Sequence, residues 1–181
     1  VFVTVGTGGA HDMVLSSLED FSAEGIDGTF GILNIALESD QKTLTGTFIE
    51  NGKKKNKKEI TDQFGLDPDK PLIAFIGRLV GEKAADLLPE AISQSIYHHH
   101  GKANFLVLGS GEGYLEEQLD HMKHQFKGYY NSYIGYSEPL SHQIYAASDF
   151  LLMPSRVEPC GLNQMYALRY GTVPMVRSVG G

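Results

Sequence analysis

The sequence predicts an α/β domain built on a doubly wound parallel sheet of the Rossmann type. Three observations predict it: continuous apolar runs of four or five residues recur from residue 71 onward, amphipathic helical segments separate them, and glycine follows several of the runs. Unbroken apolar runs suit strands that are buried on both faces, as in parallel sheets. Because such strands alternate with helices along the chain, we expect helices on both faces of one sheet.

The predicted strands are short apolar runs that mostly stop at glycine or proline. They are expected at residues 1–5, 72–76, 104–108, 150–153 and 173–176, with a weaker candidate at 131–136. Pro174 lies near the start of its run, where a strand tolerates proline. In doubly wound sheets, ligands bind at the carboxyl ends of the strands, so the loops that follow these runs are the predicted site.

The predicted helices fill the intervals between the runs. The first is expected to have Asp86 as its N-cap, Pro89 in its first turn and Gly101 as its stop. Further helices are predicted at residues 13–18, 114–126, 140–147 and 161–170. The basic run at residues 53–58 predicts the solvated face of a short helix that ends at Gly65, rather than a nucleic-acid surface.

The composition excludes several classes of protein. The chain has 181 residues, 41% of them hydrophobic, a formal net charge of -7 and a single cysteine. One cysteine cannot form an internal disulfide, and no apolar run reaches the roughly 18 residues of a membrane span. The negative charge disfavours nucleic-acid and membrane-surface partners, which require a positive field. An anionic ligand must therefore be held by a few well-placed groups.

Two of the predicted loops carry candidate anion-binding residues. The loop after the run at 72–76 places Arg78 and Lys83 beside a glycine turn, and two such cations suit a diphosphate, although a surface salt bridge is the alternative. The loop after the next run contains Gly109 and Gly111, which let backbone amides approach a ligand at a helix start. A tight strand–helix turn would require the same glycines.

A third loop, residues 154–164, combines a carboxylate with a helix start. Glu158 is expected to project toward the crevice, unless it is simply an exposed loop acid. The amides of Leu162 and Asn163 are expected to be free donors at the start of a helix. Together they could hold sugar hydroxyls with the carboxylate and a phosphate with the amides. Cys160 has no partnered histidine nearby in sequence and is interpreted as a packed or lining thiol.

No metal site is predicted. The three adjacent histidines at residues 98–100 point in different directions from a helix, and no carboxylate or cysteine is spaced to complete a site with them. They are expected to form an exposed helix end.

Taken together and in this order, the three loops resemble those of bacterial glycogen synthases and plastid starch synthases. The resemblance rests on Gly77-Arg78-Leu79 with Lys83, on Gly135-Tyr136, on Pro154-Ser155-Arg156 through Glu158-Pro159-Cys160-Gly161-Leu162, and on Tyr166 through Pro174. It implies one half of a two-domain GT-B glycosyltransferase that retains configuration. Such an enzyme transfers glucose from ADP-glucose to the non-reducing end of an α-1,4-glucan, and the resemblance implies no cofactor or metal.

The resemblance also implies roles for individual residues. Arg78, Lys83 and Glu158 would be catalytic, the two cations on the donor phosphates and the carboxylate on the transferred glucose. The residues that would bind the donor are Gly77, Gly109, Gly111, Tyr136, Cys160, Gly161, Leu162 and Asn163. Among them, the tyrosine would lie by the adenine, the glycines would shape the floor, and the amides at the helix start would hold the distal phosphate.

The sequence also departs from the family pattern. Glu82 stands where the family usually has Gln before the phosphate-binding Lys, and Asn163 stands where Thr is common. At the front, Thr7-Gly8-Gly9 resembles a donor loop, but Gly6 replaces its Lys, and a far longer family segment normally follows. We therefore expect residues 1–70 to be a remnant of an N-terminal domain and linker, and residues 71–181 to be a truncated donor-binding domain.

The expected partners are ADP-glucose, a glucan acceptor and the missing N-terminal domain. Since that domain supplies the acceptor wall of the cleft, the chain alone is expected to bind donor and turn over poorly. Two alternatives stay open: a non-catalytic nucleotide-sugar-binding module, and a UDP-sugar transferase or epimerase of the same fold. The resemblance implies a bacterial cytoplasmic protein or, alternatively, a plastid one.

Overall fold

A six-stranded parallel sheet forms the centre of the described part of the chain. The computed structural model describes Val3–Val5 and residues 39–179, with side chains from residue 52 onward. The strands are β1 (Val3–Val5), β2 (Leu72–Ile76), β3 (Asn104–Gly109), β4 (Tyr130–Ile134), β5 (Phe150–Met153) and β6 (Val173–Arg177). Their order is β1-β6-β5-β2-β3-β4, and every neighbouring pair is parallel. The predicted parallel α/β fold is confirmed.

Helices cover both faces of this sheet. In the described ranges they are α1 (Ser39–Phe64), α2 (Leu88–His98), α3 (Gly113–Gln125), α4 (Glu138–Ala147) and α5 (Leu162–Arg169). Between β2 and α2 the chain makes two short 3₁₀ turns, Gly81–Lys83 and Ala85–Leu87. All five α-helices follow or precede a strand in the alternation that the apolar runs predict.

Side chains that alternate along the central strands divide between two cores. On one face, Leu106 and Leu108 of β3 pack in a cluster with residues of α1, α4 and α5, among them Ile60, Ile144 and Ala167. On the other face, Phe105 and Val107 pack with residues of α2 and α3, including Ile92 and Leu119. Burying each large aliphatic side chain contributes about 1.5–3 kcal/mol, so the helices on both faces of the sheet contribute to the stability of the fold.

Helix α1 corrects the expectation of a short helix with a solvated basic face. It has 26 residues, and the Nζ atom of Lys53 donates to Thr172 Oγ1 at 2.7 Å and to the carbonyls of Ala146 and Tyr170 at 3.4 and 3.3 Å. Those carbonyls lie at the C-terminal ends of α4 and α5, where the helix dipoles favour a cation. Burial lowers the pKa of Lys53 to about 8, although the nearby Asp149 acts to raise it.

Lys57 lies four residues further along α1 and therefore shares the same helix face. Its Nζ atom pairs with Asp149 Oδ2 at 2.8 Å, and that oxygen also accepts from the backbone amide of Leu72 at 2.7 Å. By contrast, the Lys58–Asp62 pair is exposed. Two of the five lysines in the basic run therefore dock α1 onto the sheet, which hydrophobic periodicity does not reveal.

Residues just before position 71 belong to the same core as those after it. Ile60 and Leu66 are buried in the cluster that contains Leu72 and Leu151. The division at residue 70 stays a prediction, but it does not coincide with a break in packing among the described residues. The predicted helix at 13–18 and the Thr7-Gly8-Gly9 loop lie outside the described residues.

Several predicted boundaries move by one to three residues. Asp86 is not the cap of α2: the helix begins at Leu88, and the Asp86 carboxylate binds Arg156 instead. Strand β4 begins one residue and ends two residues before the predicted positions. Helix α4 begins two residues early, where Ser137 accepts a hydrogen bond from the amide of Leu140. Within the described ranges, no helix combines the length and the apolar character needed to cross a bilayer.

Candidate functional site

The strand order creates a crevice at the carboxyl ends of β2 and β5. The chain runs from β2 outward to β3 and β4, and then returns to place β5 on the other side of β2. Such a switch point is where open α/β sheets bind their ligands. The loop after β2, residues 77–83, is called the cation loop here, and the loop after β5, residues 154–161, is called the carboxylate loop.

One predicted residue from each of these two loops meets in an ion pair. Lys83 Nζ lies 2.6 Å from Glu158 Oε2, and their side chains are only 22% and 15% exposed. Ser155 Oγ donates to the same oxygen at 2.9 Å. Glu158 is therefore not the exposed loop acid of the alternative reading.

The Glu158 carboxylate is held in its charged form. Partial burial acts to raise its pKa, but the hydrogen bonds from Lys83 and Ser155, the positive charge of Lys83 and the amide of Gly161 outweigh burial. The pKa of Glu158 is consequently lowered from its ordinary value. At neutral pH the site thus presents an anion and a cation side by side.

Arg78 has a different partner. Its Nη2 atom lies 3.1 Å from Glu82 Oε2 within the cation loop, and the two side chains are 67% and 65% exposed. The residue that departs from the family pattern thus contacts Arg78 rather than Lys83. Arg78 thus forms the surface salt bridge that was the alternative to an anion site.

Gly109 at the end of β3 and Gly111 just after it allow two chain segments to run side by side. A Cβ atom at Gly109 would lie 2.1 Å from the carbonyl oxygen of Gly77, and one at Gly111 would lie 2.3 Å from that of Leu79. Leu79 and Gly111 also form a parallel bridge. The amide of Gly111 donates to Glu116 Oε1 at 2.7 Å, so a side chain of the following helix α3 already occupies it.

A cavity of about 350 Å³ opens beside the cation loop. Of the predicted donor-binding residues, Gly77, Gly109, Tyr136 and Asn163 line it, as does Arg78. Tyr136 is 81% exposed. The volume lies within the roughly 300–1,000 Å³ that is usual for small-molecule sites.

The start of α5 forms another wall near the crevice. Gly161, with φ at 67°, is the N-cap residue, and Asn163 Nδ2 donates to the carbonyl of Ile76 at 2.7 Å, which ties the helix to β2. Among the hydrogen bonds of the described residues, none uses the backbone amides of Leu162 and Asn163 as donors. These are the free donors that the sequence predicts at a helix start.

Cys160 does not match its interpretation. Its side chain is exposed rather than packed, and it is not among the residues that line the cavity. Gly111, Gly161 and Leu162 also lie outside the cavity lining. Four of the eight predicted donor-binding residues therefore line the cavity, and the other four do not.

The histidines at residues 98–100 are exposed at the end of α2, as expected. Over the described residues, no three side chains of His, Cys, Asp or Glu come together in a group that could hold a metal ion.

Sequence reasoning missed several residues of the site. Ser141, His142 and Tyr166 line the cavity, and Ser155 is buried beneath Glu158. A Ser followed by Glu-Pro at residues 137–139 is a recognisable helix start, and it would have brought the first turn of α4 into the predicted site. The contacts of Arg156 have no such local signal, because its partners lie some 70 residues earlier in the chain.

The fold and the site define a Rossmann-like domain in which two loops face each other at the switch point of the sheet. The match to a family model is consistent with this class: residues 56–181 match the model described as "Glycosyl transferases group 1". The chain belongs to the glycosyl transferases group 1 family.

Its similarity extends to a particular branch of enzymes. The chain is 50% identical over 179 residues to a glycogen synthase of Flavobacterium johnsoniae, a match that covers 90% of this chain and 38% of that protein. It is 44% identical over 133 residues to soluble starch synthase 1, chloroplastic/amyloplastic, of Solanum tuberosum, covering 72% of this chain and 20% of the relative. The resemblance read from the sequence is confirmed at this level, with relatives from both bacteria and plants.

Solved structures agree. The catalytic domain of starch synthase IV from Arabidopsis thaliana, bound to ADP and acarbose, matches with a TM-score of 0.63 and 38% identity over 71% of this chain and 27% of that one. The glycosyltransferase WaaG, at 20% identity and a TM-score of 0.53, shares the fold. The chain spans well under half the length of the curated relatives it matches.

Proposed function

We propose that this chain is the donor-binding half of a retaining glucosyltransferase that moves glucose from ADP-glucose to the non-reducing end of an α-1,4-glucan. The observation that carries the proposal is the Lys83–Glu158 ion pair, in which a cation and a carboxylate from two loops meet at the switch point of the sheet. Family membership and the glycogen and starch synthase relatives support sugar transfer. The choice of ADP-glucose and the stereochemistry rest on the resemblance of the three loops.

In this proposal the cavity takes the nucleoside. Tyr136 offers an exposed aromatic ring at the cavity, on which an adenine could stack. Gly77 and Gly109 keep the floor free of side chains, so the backbone can approach the ligand closely. Arg78, which also lines the cavity, then lies where a diphosphate would leave the nucleoside.

Positive charge facing the leaving diphosphate is the main catalytic contribution we assign. Breaking the bond between the sugar and the diphosphate builds negative charge on the leaving group, and preorganised donors that face this charge lower the barrier. Arg78 and Lys83 supply the cations, and the free amides of Leu162 and Asn163 supply donors for the distal phosphate. The proposal assigns no metal or cofactor.

Glu158 is assigned to the transferred glucose. Its carboxylate is charged and three-quarters or more buried, so it can accept hydrogen bonds from sugar hydroxyls in a site with little competing water. Ser155 fixes its orientation from below. The same carboxylate holds Lys83 in place before donor arrives.

The acceptor would bind to a part of the enzyme outside this region. Because the chain spans 38% of the Flavobacterium johnsoniae relative, we propose that an N-terminal domain is its partner and supplies the glucan site. We expect the chain alone to bind donor and to release little ADP, since closure of two domains excludes water and aligns the acceptor. We propose that the enzyme acts in the bacterial cytoplasm or, alternatively, in a plastid.

Calorimetric titration of the chain with ADP-glucose, ADP and UDP-glucose tests the donor assignment. We expect binding of the two adenine ligands, weaker binding of UDP-glucose, and little ADP release when glucan is added. Preference for UDP-glucose would replace the assignment by a UDP-sugar transferase. If none of the three ligands binds, the assignment of a donor site to this chain is contradicted.

Variants assign the individual roles. Arg78→Ala and Lys83→Ala should each lower ADP affinity, because a charge-assisted hydrogen bond contributes roughly 1.5–3 kcal/mol. Lys102→Ala, at an exposed lysine before β3, is the matched control and should leave ADP affinity unchanged. Glu158→Gln should weaken ADP-glucose while sparing ADP, and an equal loss for both ligands would place this carboxylate elsewhere.

A further inference from the structure

Arg156 and its neighbour Val157 join the carboxylate loop to the cation loop, and to Asp86 just beyond it, by five hydrogen bonds. Its Nη1 atom donates to the carbonyl of Gly81 at 2.7 Å, and its Nη1 and Nη2 atoms donate to the two carboxylate oxygens of Asp86 at 2.5 and 2.8 Å. The backbone amides of Arg156 and Val157 both donate to the carbonyl of Glu82, at 2.8 and 3.2 Å. All of these acceptors lie within three residues of Lys83.

The acceptors bracket Lys83 on both sides. Gly81 and Glu82 precede it in one 3₁₀ turn, and Asp86 follows it in the next. Between them, Ala84 is buried in the left-handed region with φ at 53°, so the backbone turns sharply directly after Lys83. The hydrogen bonds from the carboxylate loop add to the turn bonds within this segment and fix its position relative to the carboxylate loop.

The chemistry of the pair suits a rigid connection. A guanidinium presents planar donors in a fixed fork that matches a carboxylate in two places, whereas a lysine carries its charge on a flexible four-carbon stem. The position of Lys83 Nζ therefore depends on how firmly the backbone beneath it is held. Arg156 and Asp86, with side chains 39% and 33% exposed, are bonded to each other rather than turned toward the cavity.

We propose that Arg156 and Asp86 are positioning residues whose bidentate pair keeps the cation loop in register with the carboxylate loop, so that Lys83 meets Glu158. The consequence for donor binding rests on the proposed function. A diphosphate and the sugar attached to it lie at a fixed distance from each other. The cations that would bind the diphosphate and the carboxylate that would bind the sugar lie on different loops, so the loops must hold a matching distance.

The first test needs no ligand. The pKa of the Glu158 carboxyl is followed by carbon-detected NMR titration in the unaltered chain, in Asp86→Asn and in Arg156→Gln. Because Lys83 helps to keep this pKa low, we expect it to rise toward the ordinary glutamate value in both variants. The matched control is Glu90→Gln, which alters a carboxylate that bonds to Gln94 within α2, and it should leave the pKa of Glu158 unchanged.

Two results would overturn the proposal. One is an unchanged Glu158 pKa in variants that remain folded by circular dichroism. The other is unfolding of both variants, since the pair would then serve global stability instead of loop register. Asp86→Asn keeps the shape of the side chain and leaves Arg156 free to bond Gly81. If Arg156→Gln alone fails to fold, the Glu158 pKa measured in Asp86→Asn decides the test.

A second test links the pair to donor binding. Asp86→Asn should weaken ADP-glucose binding by about 3- to 10-fold, and by much less when Lys83 is already replaced by Met, because groups that act through one another are not additive. Equal losses in both backgrounds would overturn positioning through Lys83. If the unaltered chain binds no ADP-glucose, the proposed function fails, while the NMR titration still decides whether the pair sets the register of the loops.

Discussion

Glu82 is expected to compete with a bound diphosphate for Arg78, so that Glu82→Gln should tighten ADP binding. The two side chains pair at 3.1 Å within one loop. A ligand phosphate that engages the guanidinium must displace this carboxylate or lie next to it, and both arrangements cost free energy. Glutamine keeps the size of the side chain and removes its charge.

The exposure of the pair sets the magnitude. With side chains 67% and 65% exposed, the interaction belongs among surface salt bridges, which contribute about 0.2–1 kcal/mol. Recovering that energy corresponds to roughly a 1.4- to 5-fold gain in affinity. Because exposed charges are screened by salt, the gain should shrink as ionic strength rises to about 1 M, where the screening length falls to ~3 Å.

Calorimetric titration with ADP at low and high salt measures the effect. Glu117→Gln, at an exposed acid of α3, changes the net charge by the same amount and should give little gain. The gain should also disappear in an Arg78→Ala background, where there is no guanidinium to release. Unchanged or weaker ADP binding by Glu82→Gln at low salt would refute the competition and indicate that Glu82 orients Arg78 for the ligand.

Three further substitutions test the packing beneath the site. Gly109→Ala should lower the free energy of unfolding by about 1–3 kcal/mol, because its Cβ would lie 2.1 Å from the Gly77 carbonyl oxygen. The control Gly113→Ala, whose Cβ would meet no atom within 4 Å, should leave the free energy of unfolding unchanged. Equal urea midpoints for the two variants would contradict this expectation. In Lys53, a pKa lowered from 10.5 to about 8 means that the unfolded chain binds more protons between these values, so stability should rise with pH across that window. In urea unfolding measured at matched pH values, Lys53→Met should show a smaller rise of stability with pH than the unaltered chain. Parallel pH profiles of the two proteins would contradict the lowered pKa of Lys53. Asp149→Asn should cost roughly 1.5–3 kcal/mol, since its carboxylate accepts from both a lysine and a backbone amide; a thermal melt that matches the unaltered chain would contradict the docking of α1.

The central strands could be predicted because each of them appears in the sequence as a continuous apolar run. Every residue of β3 is buried, so Asn104–Gly109 appears as an apolar run whichever face a side chain points to. Helix α1 could not be predicted in the same way. It docks partly through Lys53 and Lys57, which any hydrophobicity pattern assigns to solvent.

The same distinction applies to the site. Lys83 and Glu158 each follow an apolar run, and the rule that ligands bind at strand ends is enough to select them. Which loops face each other depends on strand order, because β2 and β5 are neighbours although 73 residues separate Ile76 from Phe150. The bonds between Arg156 and Asp86 follow from that order and have no trace in local sequence.

The docking of α1 limits how the protein can be shortened. A version that began at residue 71 would uncover the sheet face now covered by Ile60 and Leu66, and it would leave Asp149 without the lysine that neutralises it. Newly exposed apolar surface of this kind promotes aggregation. A version for expression and titration therefore has to keep the part of α1 that carries Lys53, Lys57 and Ile60, well upstream of the first strand that carries the site.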